Sequence, residues 1–297
     1  MGFRRVGIWL RATTVLPCWI VMGCPAASGA DTQSTDAGDD FLSGADATRA
    51  SQPNWSSPLT TTTALLEQRL RFDVTQEHSG NGTDTTVLDS GRGVDFIVGD
   101  TNEIQLAPPA YDIRTGTNAK DQLEGFSDGT FLRVEQRLTS SAADGQDYAL
   151  TAWLAVQAPS GIKRLSGNSW AWEPTLAAGK GWGNFDIQGT IGGILPSSHT
   201  ATLGQQLQTN IALQYEIRRI FWPELELNWT YYPDGQRAGL SQIYLTSGVV
   251  IGRVVLFKGL KATIGAGYQW ALSPRFRDSP LTPSYGHAFL CTSRLNF

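Results

Sequence analysis

Cysteine, histidine and methionine are scarce in this chain of 297 residues, which holds three, three and two of them. Cys18, Cys24, Met1 and Met22 all fall in the first thirty positions, so Cys291 is left without a partner. That excludes a disulfide framework and a Cys-x-x-Cys metal knuckle. Long apolar runs are missing too. Beyond residue 30 no stretch approaches the roughly 18 consecutive apolar residues that a helical membrane span needs. Nor is there an excess of positive charge: 23 Lys+Arg stand against 27 Asp+Glu, a net charge of −4, so no basic face offers itself to nucleic acid.

The first thirty residues read as a secretory signal. Arg4, Arg5 and Arg11 give a basic start, Ala12 to Gly23 an apolar stretch, and Ser28-Gly29-Ala30 a small-residue site before Asp31. A lipoprotein-type cut before Cys24 is the rival, and Met22 and Pro25 fit it poorly. Removing three arginines takes Lys+Arg from 23 to 20 and the net charge from −4 to about −7. Residues 31–60, rich in Asp, Ser, Thr, Gly and Ala, are expected to form a flexible periplasmic lead-in, with folding of 31–57 into the lumen left open. Residues 61–297 then form the folded domain.

That domain has its hydrophobicity spread at period two. Leu207, Thr209, Ile211, Leu213, Tyr215 and Ile217 alternate with Gln206, Gln208, Asn210, Ala212, Gln214 and Glu216. Leu225, Leu227, Trp229 and Tyr231 likewise oppose Glu224, Glu226, Asn228 and Thr230. Segments of about ten alternating residues between turn signals are the signature of a transmembrane β-barrel. A soluble β-sandwich or lipocalin-like barrel also alternates. Aromatics near strand ends (Trp170, Trp172, Trp182, Phe221, Trp222, Trp229, Tyr231, Tyr232, Tyr268, Trp270) favour the membrane form, whose lipid interfaces carry aromatic girdles.

Strands are expected near 128–138, 147–157, 168–179, 184–195, 205–218, 221–231, 240–256, 259–272 and 286–297, with another over Thr62–Val74. Val94–Leu106 reads as two short strands broken at Gly99-Asp100-Thr101-Asn102, because single-chain bacterial barrels have even strand numbers. The expectation is an all-β, antiparallel transmembrane β-barrel of about 12 strands, within a range of 10–14, with 75–92 and 107–127 as external loops. Short turns, among them the glycine-rich Gly179-Lys180-Gly181-Trp182-Gly183, alternate with long loops, which sets both termini in the periplasm. The chain closes on Phe289, Leu295 and Phe297, along one face of the last strand, a pattern resembling the assembly signal of outer-membrane barrels. Partners are then outer-membrane lipid and the barrel-assembly machinery.

Gly91-Arg92-Gly93-Val94-Asp95, Leu106-Ala107-Pro108-Pro109-Ala110-Tyr111, Pro159-Ser160-Gly161 and Glu173-Pro174-Thr175 through Gly183, followed by Asp186-Ile187-Gln188 and Leu195-Pro196, resemble a known group. They are similar to the meta-pathway-of-phenol-degradation family of outer-membrane transporter-like proteins, with Pro-Ser-Gly where its members usually carry Pro-Thr-Gly. The resemblance spans roughly Arg92 to Pro196. It implies an outer-membrane protein of Gram-negative bacteria passing small hydrophobic or aromatic compounds, and leaves the permeant open.

Little in the chain promises catalysis. Gly179–Gly183 lacks phosphate-loop spacing and no helix follows it. His78, His199 and His287 are placed in loops or at a strand end. His287 with Ser284, or His199 with Ser197 and Ser198, would be the start of a lipid hydrolase, but solvated loop histidines are the simpler reading. Asp84, Asp89, Asp112 and Asp121 lack EF-hand spacing for calcium. No cofactor, metal or catalytic residue is expected. The informative charges face the lumen: Glu67, Arg69, Arg71, Asp73, Arg133, Glu135, Arg137, Glu173, Asp186, Glu216, Glu224, Glu226, Lys261 and Arg294. They either tune an aqueous path or neutralise one another in a filled barrel. Strict alternation points Arg253 toward lipid. The expected function is a passive channel or transporter, with a barrel-embedded lipid hydrolase and a non-conducting structural barrel as alternatives.

Overall fold

Alternation of this kind forms a stable membrane wall only when the strands close on themselves, because an open edge would strand backbone N–H and C=O groups in lipid. The computed structural model, which describes residues 45–80, 82–89, 92–116, 122–143, 145–257, 259–272 and 285–297, has this closure. Strand β1 (Arg69–His78) pairs along its length with β15 (His287–Asn296), from Arg69 opposite Asn296 to His78 opposite His287. Between them lie β8 (Tyr148–Ala158), β9 (Ala171–Trp182), β10 (Phe185–Pro196), β11 (Gln206–Tyr215), β12 (Phe221–Tyr231), β13 (Ser241–Phe257) and β14 (Leu260–Ala271), each antiparallel to its neighbours. These agree with the expected strands within a few residues.

The remaining wall is built from half-strands. β2 (Asp84–Leu88) and β3 (Gly93–Val98) are two halves of one crossing, as are β4 (Asn102–Leu106) with β5 (Tyr111–Thr115) and β6 (Leu123–Phe126) with β7 (Gly129–Ser141). β1 pairs with β3 through Arg69–Arg71 and with β2 through Val74–His78. One half of the wall runs β1-β3-β4-β7 and the other β1-β2-β5-β6. Counting each broken crossing once, the ring has twelve strands. The segments 75–92 and 107–127, expected as external loops, therefore carry β2, β5, β6 and the end of β1. Their short runs are interrupted by Pro108, Pro109 and glycines, which is why they resemble loops: proline offers no N–H to a ladder.

One face of each strand is apolar and outward. Leu70, Phe72, Val134, Leu154, Leu176, Ile191, Ile211, Leu225, Leu227 and Ile264 are all exposed, as lipid-facing residues must be. Aromatic pairs mark the strand ends: Trp182 with Phe185 at one end of the barrel, Trp229 with Tyr231 and Tyr268 with Trp270 at the other. Two of the expected girdle residues are corrected, since Trp222 and Tyr232 point inward and are buried. Phe289 and Leu295 are exposed on the outer face, and Phe297 packs edge-on against Phe96 at 6.4 Å.

The largest departure concerns the segment before the barrel. Residues 45–50 are helical and 51–68 follow an irregular path, yet Trp55, Leu59, Thr61, Ala64, Leu65 and Leu66 are buried. The span 31–60, expected as a flexible lead-in, thus has 45–60 lodged inside the barrel, and the strand expected over 62–74 begins only at Arg69. The signal peptide expected over 1–30 lies outside the described residues.

Candidate functional site

The lumen is lined by the polar face of the strands. Arginine and carboxylate alternate along the broken wall, because positions two apart on a strand share a face. Arg69 Nε donates to Asp95 Oδ2 at 2.8 Å and also pairs with Glu67. Arg71 Nη2 lies 2.8 Å from Asp73 Oδ2, which Arg92 Nε reaches at 3.2 Å. Arg133 Nη2 lies 2.8 Å from Glu103 Oε1, its Nε 3.3 Å from Glu135 Oε2, and its guanidinium 5.3 Å from the Trp153 ring. Buried charges are costly unless paired in this way.

The opposite wall carries acids of another kind. Asp186, Glu224 and Glu226 are buried, and Glu226 is wholly inaccessible. Their partners are amides, together with the Thr60 hydroxyl, which donates to Glu226 at 2.7 Å. Gln188 Nε2 donates to Asp186 at 3.0 Å and Gln214 Nε2 to Glu224 at 2.6 Å. The other oxygens of Glu224 and Glu226 accept backbone N–H groups of the inserted segment: Leu59 at 3.0 Å, Thr60 at 2.8 Å and Thr61 at 2.6 Å.

The segment 45–68 is a loop that enters and leaves at the short-turn end. Its two legs are tied by Gln52, whose amide donates to Leu66 O at 2.7 Å and accepts from Leu66 N–H at 3.1 Å. Arg49 donates to the carbonyls of Gln68, at 2.9 Å, and of Phe297. Arg137 holds the Thr48 carbonyl at 3.1 Å, and Gln188 Nε2 holds that of Ser56 at 2.9 Å. Trp55 lies against the inward face of β9, where a Cβ on Gly181 would come within 2.7 Å of its indole nitrogen and one on Gly179 would strike the ring. These glycines were expected to form a hairpin turn. The strand instead runs on to Trp182, and of the three only Gly183, with φ 63°, lies at the turn. Arg253 is the other correction. A register shift between Ile251 and Val254, with φ 61° at Arg253, turns the side chain inward. There its guanidinium sits 5.4 Å from the Trp222 ring and donates to Asn54 O at 3.0 Å and to the Trp55 carbonyl.

Beyond the segment's tip, toward the long-loop end, the lumen opens into a cavity of about 690 Å³. Its lining mixes arginines (Arg92, Arg133) with aromatics (Trp153, Tyr244, Tyr285). Gln242, also in this lining, is 4% exposed and has no hydrogen-bond partner for either side-chain atom among the described residues. Of the predicted lumen residues, Arg69, Arg71, Asp73, Arg133, Glu135, Arg137, Asp186, Glu224, Glu226 and Arg294 are buried inside, Glu67 meets Ser57, and Glu173 lines the cavity. Glu216 lies half-buried just past β11, its N–H bonded to Asn184 O at 2.7 Å, and Lys261 is exposed near the start of β14. Sequence reasoning missed Trp55, Leu59 and Thr60. A tryptophan in a Ser/Thr tract was the available signal.

Among the described residues, His78 stacks on His287 at 5.0 Å and lies 2.9 Å from Asp84, His287 also stacks on Tyr268, and the His199 ring nitrogen Nδ1 lies 3.2 Å from Ser198 Oγ. Ser284 and Asp121 lie outside the described residues. Asp84, Asp89 and Asp112 join no group of three or more metal-ligating side chains among the described residues.

A closed antiparallel barrel of twelve strands, apolar outside with aromatic ends and charged within, has the fold of an outer-membrane β-barrel. No family model matches the chain, and no curated protein matches it in sequence. Its fold is similar to that of a solved outer-membrane channel from Pseudomonas putida F1, with 12% identity, 82% of this chain and 100% of that chain covered, and a TM-score of 0.55. Looser likenesses are to the NanC porin (10% identity, 76% and 98% covered, TM-score 0.45) and the KdgM porin (10%, 77% and 99%, TM-score 0.39).

Proposed function

We propose that this barrel is a passive channel for small molecules, hydrophobic or aromatic compounds among them, with the short-turn end in the periplasm. The observation that carries this reading is the cavity of about 690 Å³ on the long-loop side, stopped by a chain segment and not by the wall. Aromatic faces beside arginines suit planar solutes with a polar edge. Membership of the meta-pathway-of-phenol-degradation family belongs to the same proposal. Its support is that Arg92–Asp95 and Leu106–Tyr111 fall at strand breaks, and that Gly161 N–H bonds Asp128 at a third break. The filled lower lumen favours a second reading, a non-conducting structural barrel. Single-channel recording in planar bilayers, with uptake of aromatic solutes into liposomes, separates the two. Discrete conductance steps and solute entry are expected, and a silent bilayer with impermeable liposomes would reject the channel.

A further inference from the structure

The tip of the inserted segment is held as a receptor holds an extended peptide. On one side its carbonyls are taken by cations: Ser57 and Pro58 by Arg294, the latter at 2.7 Å, Leu59 by Arg71, and Thr60 by Arg92 at 3.1 Å. On the other side its N–H groups at Leu59, Thr60 and Thr61 are taken by Glu224 and Glu226. Those bonds recognise backbone whatever its side chains, and charged partners make them the stronger kind. Side chains are read as well, and Thr60 Oγ1 donates to Glu226 at 2.7 Å and to Asn228 at 3.0 Å. Leu59 packs with Trp222 and Val250 against Gly248, Gly265 and Gly267, where a Cβ on Gly265 or Gly267 would approach it to 2.7 and 2.6 Å. Glycine on two adjacent strands leaves a notch one side chain deep.

The protein elements of this site come from β1, β12, β13, β14 and β15, with Arg92 just before β3. They do not depend on Ser57–Thr61 for their position, since the strands are held by their ladders. Without an amide-bearing occupant, buried Arg71 and Arg294 would face buried Glu224 and Glu226 across a gap, an arrangement that demands a polar filling. We infer that the lower lumen is a binding site for an extended peptide with a small apolar side chain, filled in cis by residues 57–61, and that a peptide in trans competes for it. The tether gives the segment a high effective concentration, so the site needs no great intrinsic affinity to stay filled.

The test uses the full chain carrying Trp55→Ala and Leu59→Asp, which disturb the segment and leave the wall intact, with heat-modifiable gel migration to certify folding. The probe is a fluorescent nine-residue peptide copying residues 55–63, followed by anisotropy. Saturable binding to this variant and none to the unsubstituted protein is expected. Adding Glu226→Gln should weaken it about tenfold, as expected for loss of charge-assisted bonds. A folded variant that fails to bind the peptide overturns the inference. Should the double variant not fold, Glu226→Gln alone serves: exchange of the Thr60 and Thr61 amides should quicken about tenfold while strand amides hold, by the same energetics. Unchanged exchange also overturns it. Binding is read without conductance, so peptide binding in a barrel that never conducts would reject the channel and keep this site.

Discussion

The two sides of the barrel solve the same problem differently. From β8 to β15 each strand pairs with its neighbours over most of its length, and the main interruption is the shift at Arg253. From β1 to β7 three crossings break midway, and side chains and stray backbone bonds take over: Ala107 N–H reaches Phe131 O at 3.1 Å and Ser127 N–H reaches Ala110 O at 2.9 Å. Asp128, at the last break, accepts from Gly161 N–H at 2.9 Å, Ser166 Oγ at 3.0 Å and Gly167 N–H at 2.7 Å. The arginine–carboxylate networks also crowd this side. Where the ladder is continuous, backbone bonds hold the wall and its inner face is free to be shaped, by glycines at 179, 181, 248, 265 and 267, for the segment it receives. Where the ladder is broken, the inner face must itself hold the wall.

Substitutions can break that contrast. Arg133→Ala should cost the most, about 3–5 kcal/mol, because Glu103 and Glu135 lose their cation inside the broken wall. The thermal midpoint of heat-modifiable migration reads this, and a midpoint equal to that of the parent protein would show the network to be dispensable. Leu227→Arg, mid-strand on the regular wall, should cost about 2–4 kcal/mol for placing a charge in lipid. The same loss in detergent lacking a bilayer-like core would argue that packing, not lipid, sets it. Asp128→Ala should cost about 1–3 kcal/mol through orphaned donors, with faster amide exchange confined to Gly161 and Gly167. Exchange spreading along β9 would mean that the break is not a local structure. Smallest of all, Pro108→Ala with Pro109→Ala should change stability by about 1 kcal/mol or less. A large gain would mean that the prolines alone keep β4 and β5 apart.

How much of this was legible follows the same divide. On the regular wall, alternation over ten or more residues fixed the strands of β8 to β15 to within a few positions, since burial on one face and lipid on the other leave one register. β3 and β4 were also read from the break at Gly99–Asn102. β2, β5 and β6 were not, because runs of four or five residues beside prolines and glycines carry too little periodicity. The charges expected in the lumen were read by parity, and ten of the fourteen are buried. Arg253 escaped because a bulge reverses parity, which no local pattern announces. The inserted segment escaped for a deeper reason. Nothing within 45–68 demands order; the order comes from Arg71, Glu224, Glu226, Arg253 and Arg294, which meet only when the barrel exists.

That last dependence sets a chronology. The bonds from residues 54–61 to Glu224, Glu226, Arg253 and Arg294 span separations of 165 to 237 positions along the chain. Arg71 and Arg294 become neighbours only through the β1–β15 seam. The acids, the glycine notch and Arg294 lie on the contiguous strands β12 to β15, and Arg71 joins them only when the ring shuts, so the seat is complete only in the closed barrel. Capture of the Leu59 carbonyl by Arg71, across that seam, is what completed closure adds to the seat.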